Sequence, residues 1–464
     1  MTRKFQYKVV PSAWLEQNGR RLDCGPYMSG ATEAKALLRK HSTIPLRELT
    51  TKIFHAGRES RVWVDSPEYG VPFMGSTDIL AADLSNLSLI SKKQVASKPS
   101  FIIRKGWTLI TRSGTVGRMA YARSEMDGIA CSEDVMRVVA DENTILPGYI
   151  YAFLSSRFGV PLVVSGTYGA IIQHIEPHHI AGLPVPRLGK VEEQAHELAQ
   201  RAAELLTKYQ ANLHKATALF FESVGLKDIT FAEWHSWGTD CGFTAPVDVH
   251  SFRALNFNPR FNHLCERIKQ GPWKPLSKLC IDDTLKSGPR FKRVDAEPEH
   301  SFQLIGQKQI FCLRPEGRWI AKNSIGDEVL VPAGSILVAA QGTLGESELF
   351  CRSEFITRSA IKKAYSQHFL RIVADEERIE RGALFAFIRS EMAFRMFRSI
   401  STGSKLQDFH YSALPLLPIP YPDLDVRRRC NDLTNKAYEM RDKAIQLEDE
   451  ARVLVERAIE EGVQ

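Results

Sequence analysis

The chain repeats itself, and nothing else in the sequence constrains its fold as tightly. Ala140-Asp141-Glu142 returns as Ala374-Asp375-Glu376, YAFLSS at 151–156 as FAFIRS at 385–390, and LPVP at 183–186 as LPIP at 417–420, all at one offset of 234 residues. FMGSTDI at 73–79 returns as LIGQKQI at 304–310, and IPLREL at 44–49 resembles KPLSKL at 274–279. A Gly-Thr-aliphatic-Gly turn also occurs twice, as SGTVGR at 113–118 and QGTLGE at 341–346. Six blocks in the same order are a duplication. The period of about 230 residues is far longer than a solenoid unit, so each half is a domain-sized module with its own core.

Each module runs into a long helix. Val426, Cys430, Leu433, Ala437, Met440, Ala444, Leu447, Ala451, Leu454 and Ala458 are spaced alternately by four and three, a heptad seam. Val191, Ala195, Leu198, Ala202, Leu205 and Tyr209 follow the same rule, and the seam continues through a stutter to Leu213, Ala216 and Phe220. One row of the second seam is large and the other small, which predicts a close helix pair. A seam this narrow leaves most of each helix polar, which favours pairing within the chain over packing on one module. Homodimerisation through the same seams is the competing arrangement. The seam residues expected at the pairing surface are Leu198, Ala202, Leu205, Leu433, Ala437, Met440, Ala444 and Leu447. Chain connectivity makes the helices antiparallel. The fold class expected is α+β: two duplicated α/β modules joined by two long antiparallel coiled-coil helices, with a pseudo-twofold axis within one chain.

Inside the modules, FIIRKGWTLITR at 101–112 and EVLVPAGSILVAA at 328–340 read as strand–turn–strand, with Gly106 and Gly334 in the turns. GYIYAFLSSRFG at 148–159 and the stretch 381–399 read as amphipathic helices, and LPVP and LPIP as extended segments docking the chain before each long helix.

The totals exclude several classes. No apolar run reaches the roughly 18 residues of a membrane span, and the first residues lack the apolar core of a secretory signal, so a cytoplasmic location is the expectation. The eight cysteines form no C-x-x-C pair and read as reduced, mostly buried thiols, with no metal expected. The shared turn lacks the Gly-Lys-Ser/Thr ending of a phosphate loop, and its glycines fit a turn needing positive φ. No D/N-P-P-Y/F, H-E-x-x-H or G-x-S-x-G motif is present, so no catalytic residue is assigned.

Nucleic-acid binding remains. The net charge of +7 permits a polyanion partner without requiring one. Candidates for DNA contact flank the repeated turns: Arg104, Lys105, Arg112, Ser113, Thr115, Arg118, Tyr168, Gln173 and His174 in the first half. In the second they are Lys292, Arg293, Gln341, Thr343, Lys405 and Gln407. Arg and Lys neutralise phosphates, whereas Arg, Gln and Asn also read base edges. Ser113 against Gln341, and Arg118 against Glu346, are where the modules differ and where specificity is expected.

The succession of a Gly-Thr-x-Gly turn, PGYIYAFL, LPVP and Glu192-Glu193-Gln194 opening a long helix resembles the specificity (S) subunit of type I restriction-modification systems. The resemblance implies target recognition domains over residues 1–188 and 226–423, and spacer helices over 189–225 and 424–464. It implies that each domain reads half of a split sequence in double-stranded DNA. Two methyltransferase subunits would supply S-adenosylmethionine chemistry and motor-nuclease restriction subunits would join them, with no cofactor bound by this chain and no membrane involved. The second half departs from the pattern, since YPDLDVRRRC follows LPIP in place of Glu-Glu-Gln. A specificity subunit of a related phage-defence methylation system is an alternative. So is a non-DNA coiled-coil scaffold whose two modules bind protein partners.

Overall fold

Proline has no N–H to give a sheet, so a Leu-Pro-x-Pro segment pairs only as part of a short ribbon. Pro184–Pro186 pairs antiparallel with Thr43–Pro45, and Pro418–Pro420 with Trp273–Pro275. The same closing bond follows in both copies: Leu46 N donates to Leu183 O and Leu276 N to Leu417 O, each at 2.9 Å. The IPLREL and LPVP blocks are thus two arms of one repeated ribbon that fixes the chain where each long helix begins. This computed structural model describes all residues except 1–6, 18–19, 21, 23, 168–172, 240, 243–250, 252 and 463–464.

The chain divides into two units. Unit one holds residues 1–81, 87–207 and 443–464; unit two holds 82–86 and 208–442. In unit one a four-stranded antiparallel sheet has the spatial order Thr50–His55, Val135–Ala140, Thr108–Thr111, Met119–Tyr121. Unit two repeats it as Lys286–Ser287, Phe369–Ile372, Ile336–Ala339, Ser353–Phe355. A second sheet in each unit contains one parallel pair, Phe73 with Ala130 and Leu304 with Ala364. The Ala-Asp-Glu blocks leave the central strand by the same aspartate turn: Asp141 Oδ1 accepts from Asn143 N, and Asp375 Oδ1 from Glu377 N, both at 3.1 Å.

Two local expectations change. In 101–112 and 328–340 only the second arm is a strand, Thr108–Thr111 and Ile336–Ala339; the first arms are 3-10 turns at Pro99–Phe101 and Asp327–Val329. Pro332 lacks the N–H that a continuous ladder needs, and in the first copy Ile102 makes an isolated bridge to Ala130 in place of a strand. Gly106 and Gly334 do turn with positive φ, at 83° and 87°. The stretch 381–399 is two helices, Arg381–Ile388 and Glu391–Ser399, because Ser390 caps the second through Ala393 N at 3.1 Å. Pro147–Leu154 and nearly all of Arg381–Ile388 are buried on every side rather than amphipathic. Each packs in a core that also takes in the sheet and a long helix.

The long helices span Lys190–Ser223 and Leu424–Glu461. Within unit two their segments pack antiparallel: Ala216 O accepts from Cys430 Sγ at 3.4 Å, Asn212 meets Met440, and Tyr209 stands edge-on to Tyr438 at 5.5 Å. Cys430, Ala437, Ala444 and Ala451 are all buried, while Val426, Leu433, Met440 and Leu454 are half-buried. Ala458 of the small row is half-buried and Leu447 of the large row is buried, so the small row lies innermost over most of the seam, as a close pair requires. Ala202 is buried, Leu198 and Leu205 half-buried, and Leu447 buried.

The buried face is wider than one seam. A second stripe in the second helix, Arg427, Thr434, Tyr438, Arg441 and Glu448, is also buried. Arg427 bonds Glu380, Thr434 bonds Gly382 O, and Arg441 bonds Glu354. The second long helix therefore packs on module residues as well as on the first helix.

Residues 82–86 lie inside the first repeat by sequence but pack in unit two. Asp83 pairs with Arg389 at 2.5 Å and accepts from Gln210 at 2.7 Å. Burial raises the Asp83 carboxyl, but Arg389 and the hydrogen bonds from Ser85 and Gln210 outweigh it and hold the group well below the usual carboxylate range.

Candidate nucleic-acid interface

Both Gly-Thr turns leave the inner strand of the four-stranded sheet and are tied to one later segment. Gly114 N donates to Gln173 O at 3.3 Å; in unit two Gly342 N donates to Gln407 O at 3.4 Å and Gln407 N returns a bond to Gly342 O at 2.8 Å. The side chains flanking this shared bridge differ at both positions. Ser113 Oγ meets His174 Nδ1 at 2.8 Å, whereas Gln341 Nε2 donates to Asp408 Oδ2 at 3.4 Å. The backbone frame is constant and the paired chemistry it presents is not.

The turns are also held differently. Gly114 and Gly117 take positive φ, 76° and 87°, but Gly342 and Gly345 do not. In the second copy glycine answers to crowding: a Cβ on Gly342 would lie 2.9 Å from Phe350 Cβ. Arg398 donates to Leu344 O at 2.6 Å and Gly345 O at 2.9 Å, and Arg395 grips the Glu346 carboxylate with bonds of 2.8 and 2.7 Å. Gln307 makes a reciprocal pair with the Gln341 backbone, at 2.9 and 3.1 Å. Glu346 is thus a fastening of the turn.

The remaining candidates separate into groups. Thr115, Gln173, Thr343 and Lys405 are exposed at the turns or on the loop facing them, and Arg118 is half-buried with its N–H on Thr111 Oγ1 at 2.9 Å. Lys292 and Arg293 are exposed. Arg104 and Lys105 are exposed too, but they precede strand Thr108–Thr111 and so lie at its far end from the turn, with Arg104 3.6 Å from Asp127. Arg112 is tied to Glu176, which His55 also contacts at 3.1 Å, and donates to Glu133 O at 3.5 Å. Its guanidinium fixes the strand end rather than facing solvent. Gln407 is buried, and its amide bonds Ser404 O. Tyr168 lies outside the described residues. Among the described residues no group of three or more His, Cys, Asp or Glu is placed to hold a metal; His179 instead bonds Glu176 N at 2.9 Å as part of a capping box.

Asp408 escaped sequence reasoning. The signal was available: at the offset of 234 residues that aligns the Ala-Asp-Glu blocks, Gln173 falls on Gln407 and His174 on Asp408.

Fold and site together define a class: a chain of two copies of one α+β module, each presenting a bridged turn with its own side-chain pair and each continued by a long helix. No protein-family model matches this chain, and no curated protein matches it significantly. Among solved structures, the S subunit of a type I restriction-modification system from M. genitalium is similar over 90% of this chain and 94% of its own, with 11% identity and a TM-score of 0.37. The HsdS subunit from Thermoanaerobacter tengcongensis is similar over 90% of this chain and 96% of its own, with 14% identity and a TM-score of 0.28. No helix among the described residues is long and apolar enough to cross a membrane.

Proposed function

We propose that this chain is the non-catalytic DNA-specificity subunit of a type I restriction-modification complex. The observation that carries this reading is the pair of bridged turns. Two modules that keep one backbone frame and exchange the side chains upon it are what reading two different half-sites requires. Ser113 with His174 would face the bases of one half-site, and Gln341 with Asp408 those of the other. Gln presents donor and acceptor together, as adenine recognition needs, and Asp accepts from cytosine N4. Two methyltransferase subunits, carrying S-adenosylmethionine, and motor-nuclease subunits are the partners this role calls for, in the cytoplasm.

Selection of bound duplexes from a random-sequence library by the full chain tests the reading. The expected consensus is two short blocks separated by a fixed gap. A chain that enriches no sequence at any salt concentration, yet captures two protein partners, would be the scaffold instead. Transplanting the second pair into the first module, as Ser113→Gln with His174→Asp, is expected to change the bases of one block and leave the other intact. The discrimination at stake is about 1–3 kcal/mol per base pair. An unchanged consensus in a folded variant removes these pairs from base reading.

A further inference from the structure

The strand before each Gly-Thr turn's neighbouring arm carries a second duplication, which sequence comparison alone passes over because few letters recur. Phe54 pairs with Arg137, and Lys286 pairs with Arg371. Arg137 and Arg371 hold the same place in the two sheets, and each guanidinium binds three backbone carbonyls. Arg137 donates to Cys131 O and Val135 O at 2.6 Å and to Ser132 O at 2.9 Å; Arg371 donates to Glu328 O at 2.5 Å and to Val329 O and Leu330 O at 3.4 Å. With that register fixed, FHAGRESR at 54–61 lies on KSGPRFKR at 286–293. Arg58 then matches Arg290, and Arg61 matches Arg293.

Both arms run beside their turns. In unit one Glu133 binds Arg61 at 2.9 Å through its carboxylate and Arg112 through its carbonyl. In unit two His368 O accepts from Ala340 N at 2.9 Å, one residue before Gln341. Burial holds the His368 imidazole below its ordinary pKa, and the nearby charges of Arg293 and Arg290 add to that. Arg61 is engaged, since it also lies over Phe73 at 5.0 Å. Arg58 and Arg290 are exposed, and neither makes an ion pair among the described residues.

We infer that Arg58 and Arg290 are matched phosphate contacts, one per half-site, that position each module on the DNA backbone without reading sequence. The inference rests on the specificity-subunit reading above. Two half-sites differ in their bases but share a sugar-phosphate backbone. Residues that differ between the modules on a common frame serve what differs in the DNA, and exposed cations kept in register serve what is common to both. Arginine suits this because its planar fork bonds a phosphate through two N–H groups.

The test is the salt dependence of binding by the full chain, measured on a duplex bearing the selected consensus and on an unrelated duplex. Each phosphate contact contributes about 0.9 to the slope of log K against log salt. The Arg58→Ala, Arg290→Ala double variant is therefore expected to lower the slope by about 1.8. It should weaken both duplexes by the same factor and leave the consensus unchanged. The double Lys variant should keep the slope. Both positions are exposed, so circular dichroism should match the parent. A wild-type slope in the double Ala variant overturns this assignment alone, as does a loss confined to the consensus duplex. A parent chain that binds neither duplex overturns the specificity-subunit reading and this assignment with it.

Discussion

Replacing Arg441 with methionine is expected to lower the stability of unit two by about 3–5 kcal/mol, the usual result of stranding one member of a buried ion pair. Glu354 is 5% exposed. Its Oε1 accepts from Tyr438 Oη at 2.7 Å and from Arg441 at 3.0 Å, and the Arg441 guanidinium lies 4.4 Å from the Tyr438 ring centre. Burial pushes the Glu354 carboxyl above the usual carboxylate range even with Arg441 pulling it down. Without Arg441 that carboxyl loses the cation bonded to it and must take up a proton or draw in water. Urea unfolding at neutral pH, followed by intrinsic fluorescence, reads the loss. Glu354→Leu combined with Arg441→Met should recover most of it, because two apolar groups of similar volume need no compensation. An exposed pair supplies the control: Arg318 meets Asp295 at 2.7 Å with both side chains about half exposed, and Arg318→Met is expected to change stability by no more than about 1 kcal/mol. Equal losses at Arg441 and Arg318 would show that the buried cluster holds nothing together. The cluster belongs to unit two only. By strand register Ala120 opposite Leu109 takes the place that Glu354 opposite Leu337 holds.

That cluster also explains which parts of the fold were legible in the sequence. The Ala row of the second long helix was legible because a face buried against another helix must recur every three or four residues. The second stripe was not, because Arg427, Thr434, Arg441 and Glu448 are letters that normally mark a wet surface. They are buried because the module supplies a partner for each of the first three: Glu380, Gly382 O and Glu354. Those partners lie tens of residues away, beyond any local pattern. With those four residues taken as solvated, the sequence leaves only a narrow seam.

The interface divides the same way. The two Gly-Thr turns stood out as repeats, and so did their divergent flanks. Which arginine is available was invisible, because it depends on remote carboxylates. Arg112 is tied to Glu176, whereas Arg290 has no such partner among the described residues. Gln407 carries an amide suited to reading a base, but it is inside the module because its backbone closes the bridge to Gly342. The Arg-x-x-Arg arms correspond through the strand register at Arg137 and Arg371, not through recurring letters.

Gly382→Ala and Gly148→Ala are each expected to destabilise their unit, by about 1–3 kcal/mol for an overpacked contact. The sign is informative, because inside a helix Ala is normally better than Gly by about 1 kcal/mol. Gly148 and Gly382 are the second residues of helices Pro147–Leu154 and Arg381–Ile388. A Cβ on Gly148 would lie 2.8 Å from His196 Nδ1 and 2.9 Å from His196 O; one on Gly382 would lie 2.8 Å from Asn431 Oδ1 and 2.9 Å from Asn431 Cα. Backbone atoms of a long helix cannot swing aside, so the short helix must move. Moving it would break a second repeated bond. Gly148 N donates to His196 Nδ1 and Gly382 N to Asn431 Oδ1, both at 3.0 Å, which satisfies an N–H left open in the first turn of each short helix. Nδ1 can accept only while the imidazole is neutral, and burial keeps the His196 pKa below its ordinary value. Asn431→Leu should therefore also destabilise unit two, by about 1–3 kcal/mol for a buried donor without an acceptor. Thermal unfolding of the three variants decides the matter. A rise in Tm for either alanine variant would mean that the helices can separate at no cost, and that the close approach is incidental to how each module is fixed to its long helix.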